Sequence, residues 1–316
     1  MTIDDGKLVI ADRPDPSPSS TELLVAVEAA GINAADLLQK RGRYPAPPGS
    51  PADIPGLELA GTVVSAGERV SRFVPGEKVM AVVAGGAQAE LALVEESHAL
   101  AVPGSLGIQE AGGFPEAFST AHDALFTQCG LIPGDRVLIT GAAGGVGCAA
   151  VQLAARAGAV VVASVRRAEL HSAVSDLGAE VVIQPDSPEE LAKHGPFDII
   201  LELVGAPRMA EELEVLAIGG RVAVIGVGAG ARMELDLRSL MSHRSKILAA
   251  TLRARSVLEK AAVASAVSHQ VLPLVERGDL RVPIAATYNL EEAALAYERF
   301  AQGGKLGKIV LTTSTS

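Results

Sequence analysis

The apolar run Val137-Leu138-Ile139-Thr140 feeds a glycine turn, Gly141-Ala142-Ala143-Gly144-Gly145-Val146-Gly147. The turn opens onto Cys148-Ala149-Ala150-Val151-Gln152-Leu153-Ala154, a strongly helix-forming segment. Strand, glycine turn and helix in that order set a pyrophosphate on a helix N-terminus. There, free backbone N–H groups and the positive end of the macrodipole meet negative charge. Glycines are needed because a Cβ would hold the phosphates away from the backbone. The spacing is G-x-x-G-x-x-G at Gly141, Gly144 and Gly147; the stricter G-x-G-x-x-G fails because Ala142 stands at its first glycine. A glycine turn alone also occurs in other α/β proteins. Here a second strand, Val160–Ser164, follows one helix later at the distance of a βαβ unit. Gly141, Ala143, Gly144, Gly145 and Val146 are therefore cofactor-binding candidates.

The end of that second strand reads Ser164-Val165-Arg166-Arg167, with no acid before Glu169. A site for NAD usually has Asp or Glu there, on the ribose 2′-hydroxyl. Ser164, Arg166 and Arg167 instead suit a 2′-phosphate, which guanidinium groups bind through bidentate, charge-assisted hydrogen bonds. Arg166 and Arg167 also read as solvated charges at a helix start, a place that disfavours cations, and the cofactor expected is NADPH.

Composition narrows the remaining classes. With 316 residues the chain is long enough for two domains. It is 48% hydrophobic with 33 glycines, yet no stretch of transmembrane length is free of charges and turn residues. The acidic start Met1-Thr2-Ile3-Asp4-Asp5-Gly6 lacks the order of a signal peptide. Two cysteines cannot form a disulfide framework, so a cytoplasmic protein without membrane attachment is expected. A net charge of −10, no Trp and 3% aromatic residues argue against a nucleic-acid surface.

The first part of the chain reads as short strands between Pro and Gly clusters: Lys7–Ala11, Glu22–Ala29, Leu59–Ala66, Lys78–Val83 and Ala87–Val94. Such a pattern predicts an irregular, barrel-like β domain. From about Ala117 strands and helices alternate, with nearly continuous apolar runs at Arg136–Thr140, Val160–Ser164, Glu180–Gln184, Phe197–Leu203, Arg221–Ile225 and Ile247–Thr251. These predict a doubly wound parallel sheet covered on both faces. A helical segment from Ser256 to Glu276, a strand, a short helix over Glu291–Gln302 and a last strand over Lys308–Thr312 follow. That tail is too small to fold alone and is expected to rejoin the first domain.

Over essentially its whole length the chain resembles the medium-chain dehydrogenase/reductase superfamily. The likeness is carried by Ala30-Gly31-Ile32-Asn33-Ala34-Ala35-Asp36, Pro55-Gly56-Leu57-Glu58-Leu59-Ala60-Gly61, Pro75-Gly76-Glu77-Lys78-Val79 and Pro133-Gly134-Asp135-Arg136-Val137. The glycine turn and Gly304-Lys305-Leu306-Gly307-Lys308-Ile309-Val310-Leu311 complete it. The resemblance implies an α/β fold: a Rossmann doubly wound parallel sheet plus a discontinuous GroES-like β-barrel domain. Its segments would be a GroES-like catalytic part over 1–117, an NADP-binding Rossmann domain over 118–252, and a return to the catalytic domain over 253–316. Zinc alcohol dehydrogenases carry Cys where this chain has Asn33 and His where it has Leu57. Only Cys129 and Cys148 are present, and the six histidines show no ligand spacing. The chain is thus similar to the zinc-free NADPH:quinone oxidoreductase branch, the zeta-crystallin-like proteins. Segments Pro115–Ala121 and Thr251–Ser256 are similar to the p53-inducible-type members of that branch.

What the branch implies is hydride transfer to a quinone, which asks the protein for positioning and for hydrogen bonds to a developing negative charge. The resemblance puts Asn33 at the bottom of the active-site cleft and makes Tyr44 a pocket residue; both also have structural readings, in a turn and on a proline-rich loop. It extends cofactor contacts to Thr120, Val204, Gly226, Leu252 and Arg253. His122 and Cys148 read as structural, and Glu58 as one half of an ion pair. Alternatives are reduction of an α,β-unsaturated carbonyl (enone, enal or enoyl thioester) and, in another class, an NADPH-binding structural or RNA-associated crystallin-like role. A homodimer is expected, because related cofactor domains commonly join their sheets edge to edge.

Overall fold

The computed structural model describes residues 1–313 as two compact units. The first comprises Met1–Ser119, Leu252–Gly303 and residues 308–313; the second comprises Thr120–Thr251 and Gly304–Gly307. In chain order the strands of the first stretch are β1 (Thr2–Asp4), β2 (Lys7–Val9), β3 (Glu22–Gly31), β4 (Glu58–Ala66), β5 (Lys78–Val82), β6 (Leu91–Glu95) and β7 (Ala99–Ala101). Then come β8 (Arg136–Ile139), β9 (Val160–Ser164), β10 (Val181–Ile183), β11 (Phe197–Glu202), β12 (Leu216–Val224) and β13 (Lys246–Ala249). Two more, β14 (Ile284–Asn289) and β15 (Lys308–Thr312), close the chain.

The first unit holds a seven-stranded sheet in the order β14-β15-β3-β4-β5-β7, with β6 also paired to β3. Its pairs are antiparallel except β14 with β15. Strand β3 shows the period-2 logic of such a sheet: Leu23, Val25 and Val27 are buried and alternate with half-buried neighbours. They meet Leu59, Val63, Val79, Ala81, Ala92 and Val94 in one apolar cluster. A register shift in β3 between Val27 and Ala29 brings its backbone onto Gly61 of β4, where a Cβ would lie 2.9 Å from the Ala26 carbonyl carbon. Only glycine fits that approach. The late return of the chain is what supplies β14 and β15 to this sheet.

In the second unit six strands run parallel in the order β10-β9-β8-β11-β12-β13. Central strands are buried on both faces, as Val137, Leu138 and Ile139 of β8 illustrate, and their sequences are correspondingly apolar throughout. The helix Gly145–Arg156 packs on β8 through its buried stretch from Gly147 to Ala154. Gly147 permits that closeness, since a Cβ there would stand 2.6 Å from Ala142 Cα. Counted from β8, the strand order is 3-2-1-4-5-6, which reverses direction between β8 and β11 and opens a crevice at the carboxyl ends of those strands.

Three local readings are corrected. The single helix expected from Ser256 to Glu276 is two, Val257–Gln270 and Leu272–Glu276, because Pro273 has no N–H with which to continue the ladder. The strand expected over Ala87–Val94 is the shorter Leu91–Glu95, with Gln88 diverted into buried polar bonds. Lys7–Ala11 contracts to Lys7–Val9. A π-helical turn over Asp123–Gln128 had no signal in the apolar pattern.

Candidate active site

In the second unit the glycine turn and the carboxyl ends of β8, β9, β11 and β12 converge. Gly144 is the N-cap of the helix Gly145–Arg156 and contributes no capping side chain. The first amides of that helix, beginning at Gly145 and Val146, have no intrahelical acceptors and point out of its N-terminus. A Cβ on Gly144 would have only Gly141 O nearby, at 3.3 Å, so the space before the turn is open. These features fit a pyrophosphate on the helix N-terminus. Thr140 Oγ accepts from the Leu203 amide at 2.8 Å and so ties β8 to β11 just beyond the crevice. Gly226 allows the loop after β12 to lie on Leu203; a Cβ there would come within 2.6 Å of the Leu203 carbonyl carbon. Val204, between these contacts, is 40% exposed.

Glu202, at the end of β11, was not singled out in the sequence. It is 1% exposed, and its Oε1 accepts from the amides of Val204 (2.5 Å) and Gly205 (2.6 Å). Glu212 lies beside it. Burial, and then the hydrogen bond and charge of Glu202, push the Glu212 carboxyl far above its ordinary range. Burial beside Glu202 thus favours the neutral form of the Glu212 carboxyl, while the two amide bonds to Glu202 Oε1 secure the loop that follows β11.

Ser164 is buried at the end of β9, and Arg166 and Arg167 are exposed immediately beyond it. Arg167 Nη1 pairs with Glu169 at 3.3 Å, with both side chains largely in solvent. No acid lies between Ser164 and Glu169.

In the first unit Asn33 caps the helix Ala34–Lys40 and shares a buried cluster with Glu58 and Lys308. Glu58 is 0% and Lys308 3% exposed. Lys308 Nζ donates to Glu58 Oε1 (2.5 Å), Asn33 Oδ1 (2.7 Å) and the Ile32 carbonyl (3.1 Å), which uses all three of its protons. Asn33 Nδ2 donates to Glu58 Oε1 at 2.8 Å, and Glu58 Oε2 accepts from the Glu116 amide at 2.8 Å. The ion pair fixes which way the Asn33 amide points. Its second Nδ2 proton has only a long contact, 3.5 Å, to the Gly31 carbonyl. Gly31 makes room for the carboxylate, since a Cβ there would sit 2.8 Å from Glu58 Cδ. Leu57 is apolar and buried, and among the described residues no cluster of three or more His, Cys, Asp or Glu could hold a metal. A second buried acid, Asp36, accepts from the amides of Asn33 (2.8 Å) and Gly56 (3.2 Å), and burial raises its pKa to about 6.

Tyr44 is half-buried in the first unit. The Arg253 guanidinium lies 5.1 Å over its ring and donates to the Tyr44 carbonyl (3.0 Å), the Ala84 carbonyl (2.7 Å) and Gln39 Oε1 (2.7 Å). Arg253 is 4% exposed and thereby tethers the Tyr44 loop rather than presenting a free cation. Leu252 belongs to the same unit and is also buried. Thr120 and His122 are buried near the start of the second unit, His122 stacking on Phe126 with ring centroids 4.9 Å apart. Cys148 is buried behind the glycine turn. The structure thus gathers Gly141, Ala143, Gly144, Gly145, Val146, Ser164, Arg166, Arg167, Val204 and Gly226 in the second unit, and Asn33, Tyr44, Leu252 and Arg253 in the first. Lys308 had one available signal, a cation at the head of the apolar run Ile309-Val310-Leu311.

Comparison with known proteins agrees with this geometry. The family described as "Alcohol dehydrogenase GroES-like domain" matches residues 19–128, and that described as "Zinc-binding dehydrogenase" matches 145–267. The quinone oxidoreductase of Lama guanicoe is 32% identical over 305 residues, covering 94% of this chain and 90% of that protein. The acryloyl-coenzyme A reductase of Metallosphaera sedula is 28% identical, covering 95% of this chain and 94% of its own. A mycobacterial protein solved in complex with NADPH superposes with a TM-score of 0.86 at 26% identity, covering 96% of this chain and 94% of that one. The chain belongs to the medium-chain dehydrogenase/reductase superfamily, in its quinone oxidoreductase branch. It is an oxidoreductase that uses a nicotinamide cofactor.

Proposed function

We propose that this oxidoreductase uses NADPH, transfers hydride to a quinone without a metal, and works as a homodimer in the cytoplasm. The observation that carries the cofactor choice is Arg166-Arg167 at the end of β9, where a site for NAD has an acid. When bound, the dihydronicotinamide supplies the hydride; the protein positions, and answers the charge that develops on the acceptor. Asn33 is suited to that task. Lys308 and Glu58 hold its amide in one orientation, and its second Nδ2 proton is engaged only at 3.5 Å, so it is available to the acceptor oxygen. Tyr44, braced by Arg253, supplies an aromatic surface for a flat acceptor. Metal independence is supported by Leu57 and Asn33 at the two ligand positions and by an ammonium already neutralising Glu58.

A second reading, reduction of an activated alkene such as an enoyl thioester, is favoured by the likeness to an acryloyl-coenzyme A reductase. Both acceptors need the same hydride geometry. Steady-state NADPH oxidation against quinones, enones and enoyl thioesters, with and without a chelator, tests the proposal. Turnover is expected with quinones and should survive chelation. Turnover confined to enoyl thioesters would transfer the assignment to the second reading, and chelator-sensitive turnover would overturn the metal-free one.

A further inference from the structure

The strip Gly304–Gly307 belongs to the second unit, although the chain on either side of it builds the first. One end is fastened to the glycine turn: the Gly307 amide donates to Ala143 O at 2.8 Å, and Gly144 and Gly307 form a parallel bridge. Within the strip, Lys305 Nζ closes on the Gly307 carbonyl at 2.7 Å. The other end lies against Arg167. A Cβ on Gly304 would fall inside the Arg167 guanidinium, 2.7 Å from Nη2 and closer still to Nε and Cζ. Gly304 has φ +60°, so the backbone is also in the left-handed region. Hence this strip joins the turn that suits a pyrophosphate to the arginine that suits a 2′-phosphate. It presses on the arginine with bare backbone.

We propose that Gly304 is a specificity-determining residue for the cofactor, the seat on which the Arg167 guanidinium rests so that it faces the adenosine 2′-phosphate. The inference rests on the NADPH reading. An exposed arginine free to swing loses rotamer entropy when it clamps a phosphate, and one already lodged against backbone loses less. Glu169, which shares Arg167 through a mostly solvated pair, yields its place to the phosphate at little cost.

The test is calorimetric binding of NADPH, NADH and 2′,5′-ADP to the unliganded protein. Variants are Arg167→Ala, Gly304→Ala, Gly304→Asn and the double Arg167→Ala/Gly304→Asn. Asn tolerates positive φ, so it isolates the effect of the added side chain from backbone strain. Wild type should prefer NADPH, and Arg167→Ala should reduce that preference roughly tenfold or more, as expected for a hydrogen bond to a charged group. Both Gly304 variants should weaken NADPH and 2′,5′-ADP about tenfold while leaving NADH unchanged, a loss of the same origin. In the Arg167→Ala background Gly304→Asn should add nothing to the loss of preference. Equal losses for NADPH and NADH, additive effects in the double variant, or an intact preference in Gly304→Asn would each overturn the seat and leave the NADPH reading standing. A wild type without preference, or one unchanged by Arg167→Ala, would remove the NADPH reading and the seat with it.

Discussion

Lys308 and Glu58 are a charged pair with almost no access to water, and their value lies in what breaking them would leave behind. Removing one partner strands the other charge in the interior, a cost of about 3–5 kcal/mol, whereas replacing both with neutral groups can be close to neutral. Lys308→Met should therefore lower unfolding stability by about that amount, and Glu58→Gln/Lys308→Met should recover most of it. Urea denaturation measures both; a double variant no better than the single would show that the pair is not acting as a unit. The same substitutions release the Asn33 amide, so turnover should stay low in the double variant even where stability returns. Glu212 makes a prediction of the opposite kind. Its pKa in the folded protein is raised above the ordinary 4.5 by burial and by Glu202. The folded state then holds more protons than the unfolded one, and stability falls as pH rises above 4.5. Arg208, which faces this pair, lowers the shift, while Glu211 on the same helix adds to it. Glu212→Gln keeps a donor for Glu202 and removes the titration. It should be more stable than wild type by a margin that widens with pH, by at most about 1.4 kcal/mol per pH unit. A margin that stays constant between about pH 5 and about pH 8 would exclude a raised Glu212 pKa.

At the scale of elements the two glycines of the phosphate turn separate binding from folding. Gly144 has ordinary extended φ and ψ, −75° and 172°, and open space beyond its Cα. Gly147 has Ala142 Cα and Gly141 O within 2.6 Å of where a Cβ would go. Gly144→Val should keep the fold and lose cofactor affinity, about 100-fold or more if two backbone–phosphate bonds are lost. Gly147→Val should lose stability first. Calorimetry with NADPH and thermal unfolding distinguish them; normal cofactor affinity in Gly144→Val would mean that this turn does not face the phosphates. The turn was legible in the sequence because its signal is local: β-branched run, glycines, helix formers. The parallel strands were legible for a related reason: the central ones are buried on both faces and apolar along their length, and the edge strand β13 still carries the apolar run Ile247-Leu248-Ala249. The cluster of Asn33, Glu58 and Lys308 was only half legible. Asn33 and Glu58 stood out by motif position, but their partner lies 250 residues away from Glu58 and is delivered by the pairing of β15 with β3. Nothing in local spacing reports such a meeting. Glu202 and Glu212 were missed because an acid beside a strand end and another in a helical turn read as ordinary surface charges until burial is known.

At the scale of the whole molecule the unresolved demand is the edge of the parallel sheet. Strand β13 pairs with β12 on one side and, among the described residues, has no strand on the other, so a row of its N–H and C=O groups faces outward. Ile247 of β13 is 38% exposed, and in the helix that precedes it Leu237 is 62% and Met241 75% exposed. The helix Leu237–His243 could have shielded this edge, yet its own apolar side chains Leu237 and Met241 point into solvent. An unprotected edge flanked by exposed aliphatic side chains is an aggregation hazard unless a partner covers it. A second copy is the simplest partner, because a two-fold axis at β13 pairs like with like and closes the sheet without leading to fibres. The net charge of −10 opposes association only weakly at physiological salt, where separated surface charges are screened beyond about 8 Å. Light scattering at micromolar concentration should therefore give about twice the 32.3 kDa of one chain. Ile247→Lys sets two ammonium groups against each other across the axis and should return the mass to 32.3 kDa while cofactor binding persists. A wild-type mass of one chain, or a dimer indifferent to Ile247→Lys, would place the contact elsewhere or remove it.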